Sequence, residues 1–517
     1  MLSQKMYKVL SSVVLSSVVL LTACGGDQSE SGSGSTSGAA SNQSKVLNIG
    51  LKSDPPSLDP MSSSSLYDRQ VQNSLYDKLF DVDSEGNTVP MLVSEYTISE
   101  DGLSYTLTLY DGVAFQDGSY FNAEAVKFNL ERYMEEGSKR IGDLKSIDHI
   151  AVKDENTVVI TLKEPFTPFL SVLADRSGMM VSPTAVKEHG DNYVKNPVGT
   201  GPFTFVEQVS GDHVTLKKNE NYWNGEVKLD QVNFKVFTNN SAAVQNLRSG
   251  VVDIIDDIPV KEIPAVENDP NLTVVAHANM GYQGLHLNNT KGDLQNVYLR
   301  QAVDLAINRE SVVKVLFDGY GAPAYSPFAP GSIAYNEATD TPPTADEAKI
   351  KELLAKGGKP DGFSFKMQIA TTTANEQFGA VIQNMLKQYN INVELEKVEY
   401  GTMLENGDSG NFEALQLGWS GRIDPDQNTY DFLVTGMPNN QSRISVPELD
   451  KVLNEARAEK DEAKRKELYN QAMDLVHENA SYIYIYHNYD KFGVSNKVLN
   501  FTYIPDGIIR TAKLEKQ

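Results

Sequence analysis

Cysteine is almost missing from this chain: Cys24 is the only one in 517 residues. That excludes an intramolecular disulfide, a cysteine-based zinc site and, beyond Cys24, a cysteine nucleophile. Histidine is scarce, with seven, and no two stand at metal-ligand spacing. His477-Glu478 begins like the HExxH zinc motif, but Ser481 occupies the place of the second histidine. No GxSxG elbow occurs. One SxxK match, Ser311-Val312-Val313-Lys314, lies in a helical pattern without SDN or KTG partners. Gly199-Thr200-Gly201 lacks the third glycine of a phosphate loop, and Pro202 removes a backbone donor there. An excess of positive charge is also missing. Lys and Arg number 46 against 69 Asp and Glu, for a formal charge of −23. So acidic a chain does not grip nucleic-acid phosphates. Nor does it adhere electrostatically to an anionic bilayer.

What is present begins at the N-terminus. Lys5 and Lys8 precede an apolar run over 9–21, which leads into Leu21-Thr22-Ala23-Cys24. The run is shorter than the ~20 residues a membrane-spanning helix needs, and the order of segments is that of a secretory signal. The tetrad LTAC resembles a bacterial lipoprotein box, which implies signal removal over 1–23 and a lipid on Cys24. Residues 25–44 are Gly/Ser-rich and read as a flexible tether of roughly 25 Å reach. Residues 24–45 are therefore assigned to lipidated cysteine and tether.

A mature chain of this length is too long for one core, because cores stop growing near ~250–300 residues. Two or more domains are expected. Hydrophobic residues at 40% and aromatic residues at 9% suit a globular protein. Strand and helix patterns alternate, which predicts an α/β architecture. Strands are expected over 46–51, 103–109, 157–162, 232–237, 282–287, 363–369 and 391–399. Phe378, Val381, Ile382, Met385, Leu386 and Tyr389 form one apolar stripe at helical spacing. Asn122 is a predicted helix cap, with Gly137 as the stop. Ser445-Val446-Pro447-Glu448 fits a capping box. A helix over 461–478 leads into Tyr482-Ile483-Tyr484-Ile485-Tyr486, whose tyrosines either line a cleft or, the favoured reading, fill an amphipathic sheet face.

Several segments together carry a resemblance. They include SLDP (57–60), YDRQVQNSLYDKLF (67–80) and DGLSYTLTLYDGVAFQDGSYFNAEAVKFNLER (101–132). LADRSGMMVSPTAV (173–186), NPVGTGPF (196–203), KKNENYW (217–223), YLRQAVDLAINRESVV (298–313) and GWSGRIDPD (418–426) follow. In order and spacing they resemble the family-5 extracellular solute-binding proteins of bacterial ABC importers, the dipeptide-, oligopeptide- and nickel-binding type, over nearly all of 46–517. The resemblance implies a two-lobed periplasmic-binding-protein fold with a central cleft. Lobe I would span 46–275, with an inserted subdomain near 95–200. Lobe II would span 276–485, and 486–517 would return to lobe I. It further implies a monomer that is not an enzyme, requires no cofactor or metal, and captures a peptide or peptide-like solute. Its partners would be permease subunits with their ATPases. A lipid anchor would hold it on the extracytoplasmic side of the cell membrane.

In peptide-binding relatives the loop matching 418–426 approaches the ligand, and an aspartate shortly after the tryptophan pairs with the peptide amine. Here that position is Arg422, and the loop is a residue shorter. Arginine is always charged and offers a planar fork to carboxylate or phosphate. Trp419, Ser420, Arg422 and Asp424 are therefore candidate ligand contacts, with Tyr67 and Arg69 as weaker ones. The competing reading pairs Arg422 with Asp424 or Asp426 and makes the loop merely stiff. Asp117-Gly118 and the Gly/Pro run over 196–202 read as scaffold. The rival functions are a secreted hydrolase using Ser311 and Lys314, and a non-transport receptor or adhesin on the same scaffold.

Overall fold

The computed structural model describes residues 45–517. The leader, Cys24 and the Gly/Ser tract lie outside the described residues. Two long strands, Leu272–Leu287 and Tyr482–Ser495, organise the rest. They pair antiparallel along most of their length. One part of that ladder, Leu272 to Ala278 against Tyr489 to Ser495, adjoins Ile254–Ile255 and, beyond it, Val46–Leu51, Gln231–Val236, His213–Lys218 and Phe203–Val209. The other part, Tyr282 to His286 against Tyr482 to His487, adjoins Ala414–Gln416, then Phe363–Ala370 and Ile391–Val398. Between the two parts the register shifts, once between Ala278 and Tyr282 and again at Gln283. Such irregularities bend a strand and raise its twist, so the ladder changes direction at residues 279–283.

The strands follow from alternation. Val46–Leu51 buries Leu47, Ile49 and Leu51, and Ser104–Leu109 buries Tyr105, Leu107 and Leu109. Every predicted strand forms, with bounds shifted by a residue or so; 282–287 is the inner end of the much longer Leu272–Leu287. The helix on the Phe378 stripe runs Thr373–Lys387, capped by Thr372, and buries Phe378, Ile382 and Leu386 under the sheet. Each such side chain contributes about 1.5–3 kcal/mol by leaving water. Asn122 caps Ala123–Tyr133, its Oδ1 accepting from the Ala125 amide at 3.0 Å. That helix ends before Gly137, which turns the chain at φ +89°.

One cap differs from expectation. The helix Pro447–Ala458 starts at Val446 without a side-chain cap. Ser445 Oγ is turned instead to Thr435 Oγ1 at 3.3 Å. Pro447, at the first helical position, already holds a helical φ, and the helix starts there without a capping side chain.

A separate antiparallel sheet joins Val93–Ile98, Ser104–Leu109, Thr157–Leu162 and Ile147–Asp154. With Ala123–Tyr133 it encloses its own core. The run 196–202 passes against the end of helix Leu66–Leu75. A Cβ on Gly199 would stand 2.3 Å from Leu75 O, and one on Gly201 would stand 2.5 Å from Leu75 C. Gln116 Nε2 donates to the carbonyls of Leu75, Gly201 and Phe203. These glycines are needed for close backbone approach, as a scaffold requires. Tyr482, Tyr484 and Tyr486 are all buried in cores behind the sheet.

No helix among the described residues is long and apolar enough to cross a membrane.

Candidate functional site

Where the paired long strands change register, a cavity of about 640 Å³ opens. Its wall takes residues from helix Leu66–Leu75, from 140–143 and 171–176, from 279–283, from 416–423 and from 488–507. This volume is in the range of pockets that enclose a small molecule.

The loop 418–421 lies flat on the first long strand. Trp419 and Tyr282 exchange backbone hydrogen bonds, at 2.9 and 3.0 Å. A Cβ on Gly418 would stand 2.2 Å from Tyr282 O, and one on Gly421 would stand 2.1 Å from Met280 C. Gly421 also has φ +77°. Only glycine fits these two places. Asn428, fully buried in helix Asp426–Leu433, ties the loop together. Its Oδ1 accepts from Trp419 Nε1 at 3.1 Å and from the Arg422 amide at 2.8 Å, and its Nδ2 donates to Arg422 O at 2.7 Å. The sequence reading missed Asn428, because an Asn within a helix pattern carries no sign of where its amide points.

Trp419, Ser420 and Arg422 all line the cavity. The Arg422 guanidinium lies 4.8 Å over the Trp419 ring. Its Nη1 donates to Gly421 O at 2.7 Å and to Ser420 Oγ at 3.2 Å. Among the described residues it makes no ion pair. The pairing expected of the stiffening alternative is not found, because both aspartates are engaged elsewhere. Asp424 is gripped bidentately by Arg465 at 2.6 and 2.7 Å, with both side chains 4% exposed. Asp426 is gripped by Arg457 at 2.8 and 2.9 Å. Asp424 therefore does not reach the cavity wall, a correction to its candidacy.

Arg69 does line the cavity, with Nε 3.0 Å from Asp175 Oδ1. Tyr67, two residues earlier on the same helix, does not. It packs on the core behind Val46–Leu51. Burial, with Asp256 and Asp257 nearby, pushes its hydroxyl up to about 12. The 3.6 period turns two neighbours of this spacing onto different faces.

Two further arginines that sequence reasoning did not single out join this wall. Arg140 Nη1 pairs with Asp143 at 2.9 Å, and its Nη2 donates to Ser63 O at 3.0 Å. Arg176 lies 3.9 Å from Asp175, and its Nη1 donates to Ser63 Oγ at 3.3 Å. The Nε atoms of both are buried without an acceptor among the described residues. Burial pulls Arg176 down to about 10 against the attraction of Asp175, with Arg69, Arg140 and Arg422 adding repulsion. Burial alone would raise the Asp175 carboxyl, yet Arg69, Arg176 and Arg422 hold it far below the carboxylate range. Four guanidinium groups thus share one wall with two carboxylates, Asp143 and Asp175. Arg176 sat inside a quoted motif, but only topology brings it beside Arg69 and Arg422.

Ser311 and Lys314 are elsewhere, on helix Arg309–Phe317. Lys314 is exposed and paired with Asp318 at 2.5 Å. No group of three or more His, Cys, Asp or Glu among the described residues is placed to hold a metal ion.

Comparison with known proteins agrees with this geometry. The pattern of the bacterial extracellular solute-binding proteins, family 5 Middle, matches residues 87–441. The glutathione-binding protein GsiB of Pectobacterium atrosepticum is 32% identical over 464 residues, 87% of this chain and 90% of that protein. HbpA2 from Haemophilus parasuis superposes with a TM-score of 0.85 at 23% identity, covering 91% of this chain and all of that one. DppA from Helicobacter pylori, in complex with the peptide STSA, gives a TM-score of 0.74 at 27% identity, covering 91% and 98%. The fold is the two-lobed one of periplasmic binding proteins. The chain belongs to the family-5 extracellular solute-binding proteins of bacterial ABC importers, and is a binding protein rather than an enzyme.

Proposed function

We propose that this protein captures an anionic, peptide-like solute in the cavity between its lobes and delivers it to an ABC permease. Glutathione, with two carboxylates and one ammonium, is the first candidate. The observation that carries the reading is Arg422: a half-buried guanidinium that lines the cavity beside three other arginines and has no carboxylate partner among the described residues. A ligand carboxylate supplies that partner in a bidentate pair. The name of the Pectobacterium relative supports the choice of glutathione.

The lobes follow from the same reading. Lobe I comprises 46–275 with its inserted subdomain near 95–200, lobe II comprises 276–485, and 486–517 returns to lobe I. Ligand then favours a closed arrangement by binding it more tightly than an open one. Members of this family act outside the cytoplasm. A diacylglyceryl group on Cys24 would hold this one, as a monomer, beside its permease and the attached ATPases. A single acyl chain would not suffice. Cys24→Ser should release the protein with ligand binding intact; release with loss of binding would contradict a purely anchoring role.

The test of the ligand class is a thermal-shift screen with glutathione, free and N-blocked dipeptides, opines, oligosaccharides and Ni²⁺. A true ligand at ~100 times its dissociation constant adds about 2.7 kcal/mol of stability. Arg422→Ala should cost an anionic ligand about 2–5 kcal/mol of affinity. Equal affinity in wild type and variant, or a response confined to neutral sugars, rejects the reading.

A further inference from the structure

The same cavity holds a second unpaired charge, of opposite sign. Asp490 lines it, on the strand Tyr482–Ser495. Its Oδ1 accepts from Asn279 Nδ2 at 3.0 Å, and its Oδ2 accepts from the Tyr503 hydroxyl at 3.1 Å. Both donors are neutral. Among the described residues no lysine or arginine forms an ion pair with it. Its neighbour Lys491 projects to the other side of the strand, where Nζ lies 3.1 Å from Asp257. The other carboxylate on this side, Asp506, is already neutralised by Arg510, at 2.7 and 3.1 Å. Arg510 also holds Asp81 at 2.8 Å. Of the carboxylates that line the cavity, Asp490 alone has no ion pair among the described residues.

The backbone keeps this carboxylate accessible. Gly507 lines the cavity next to it with φ +72°, and a Cβ there would stand 2.9 Å from Asp490 Oδ2. A side chain at 507 would crowd that oxygen. Burial, together with Asp506, raises the Asp490 carboxyl above its ordinary range despite the two donors and Lys491. An ionised carboxylate with neutral donors only is costly to keep out of water, and an arriving cation relieves that cost.

We propose that Asp490 is the seat for the ligand's ammonium group, paired across the cavity wall with the carboxylate seat at Arg422. This deepens the proposed function and rests on it. The segment 279–281, where the ladder shifts register, supports both seats. Asn279 holds Asp490, while Met280 and Gly281 carry the loop that ends in Arg422. A compound with an ammonium and a carboxylate then meets both charges in one orientation. Peptide-binding relatives, by the resemblance above, keep their amine partner in the tryptophan loop. In this chain that position has become Arg422, and the anionic partner has moved to the crossing strand.

The test is calorimetric titration of the whole protein with reduced glutathione and with N-acetylglutathione, whose ammonium is blocked. Wild type should favour the free amine by ten-fold or more. Asp490→Asn should weaken glutathione at least ten-fold, leave N-acetylglutathione unchanged, and match or exceed wild type in melting temperature without ligand. Equal binding of the two compounds by wild type overturns the amine seat, and this comparison needs no variant to fold. An unchanged glutathione affinity in Asp490→Asn overturns it as well. If Arg422→Ala is neutral while Asp490→Asn is not, the carboxylate seat fails and the amine seat stands. Binding of neither compound rejects both.

Discussion

Two halves of one loop treat charge in opposite ways. From 418 to 422 the chain lies open to the cavity, and Arg422 has an aromatic ring and two oxygen acceptors but, among the described residues, no paired anion. From 424 to 426 it turns inward, and Asp424 and Asp426 are each clasped by an arginine from the following helices. The difference separates structural from functional charge. A buried ion pair that is complete holds the loop to its lobe and has nothing left to offer a ligand. On the proposed reading, a charge left incomplete in a cavity is held for a ligand group that arrives from solution. Asp490, with two neutral donors and no cation, belongs with Arg422 in this respect.

The comparison breaks most easily at the inner half. Asp424→Asn or Arg465→Ala should cost about 3–5 kcal/mol of folding stability, because each strands a buried charge or its donors. Urea unfolding of the ligand-free protein measures it. A loss below about 1 kcal/mol would mean that the complete pairs are not structural. Arg422→Ala should do the reverse, with a stability change within about 1 kcal/mol and its effect in binding.

A fourth carboxylate sharpens the contrast. Asp77 is fully buried; its carboxylate accepts from neutral donors, Trp223 Nε1 at 2.7 Å and the Tyr222 hydroxyl at 3.0 Å, while its backbone amide donates to Thr200 Oγ1 at 3.3 Å. Burial pushes its carboxyl up to about 7, outweighing those donors. Its folded value thus lies above the unfolded one near 3.9, and the folded state takes up a proton between them. Stability from this group is present below about pH 4 and drains away as pH rises toward 7. Asp77→Asn should flatten that decline by roughly 1 kcal/mol or more between pH 4 and 7. Parallel pH profiles for variant and wild type would show that Asp77 stays ionised. The smallest effect belongs to Trp419→Phe, which keeps an aromatic wall but removes the donor to Asn428. About 0.5–1.5 kcal/mol of stability should be lost, with ligand affinity reduced less than by Arg422→Ala.

Much of the fold was legible because its signals are local. The alternation in 46–51 and 104–109, the stripe from Phe378 to Leu386 and the cap at Asn122 each sit within one element. The cap at 445–448 was misread because two local signals competed, and the proline alone was enough. Trp419, Ser420, Arg422 and Arg69 were legible as candidates because a Gly-rich aromatic loop and a resemblance pointed to them. Arg140, Arg176, Asn428 and Asp490 were not. Arg140, Asn428 and Asp490 stand in stretches that carry no motif, and Arg176 in a motif that did not single it out. Arg140, Arg176 and Asp490 acquire their settings from Ser63 and Asn279, far along the chain, and Asn428 from a loop folded back on its own helix.

By itself the sequence determined the class of molecule. Charge, the missing catalytic and metal-binding motifs, and the order of motifs over 46–517 suffice for a two-lobed solute-binding protein. The tertiary structure alone decided which charges are complete. Asp424 and Arg422 look equally available two residues apart, yet Arg465, forty-one positions onward, closes on one and leaves the other free. Ion pairing depends on distances of a few ångströms between elements remote in sequence, and only packing sets those distances.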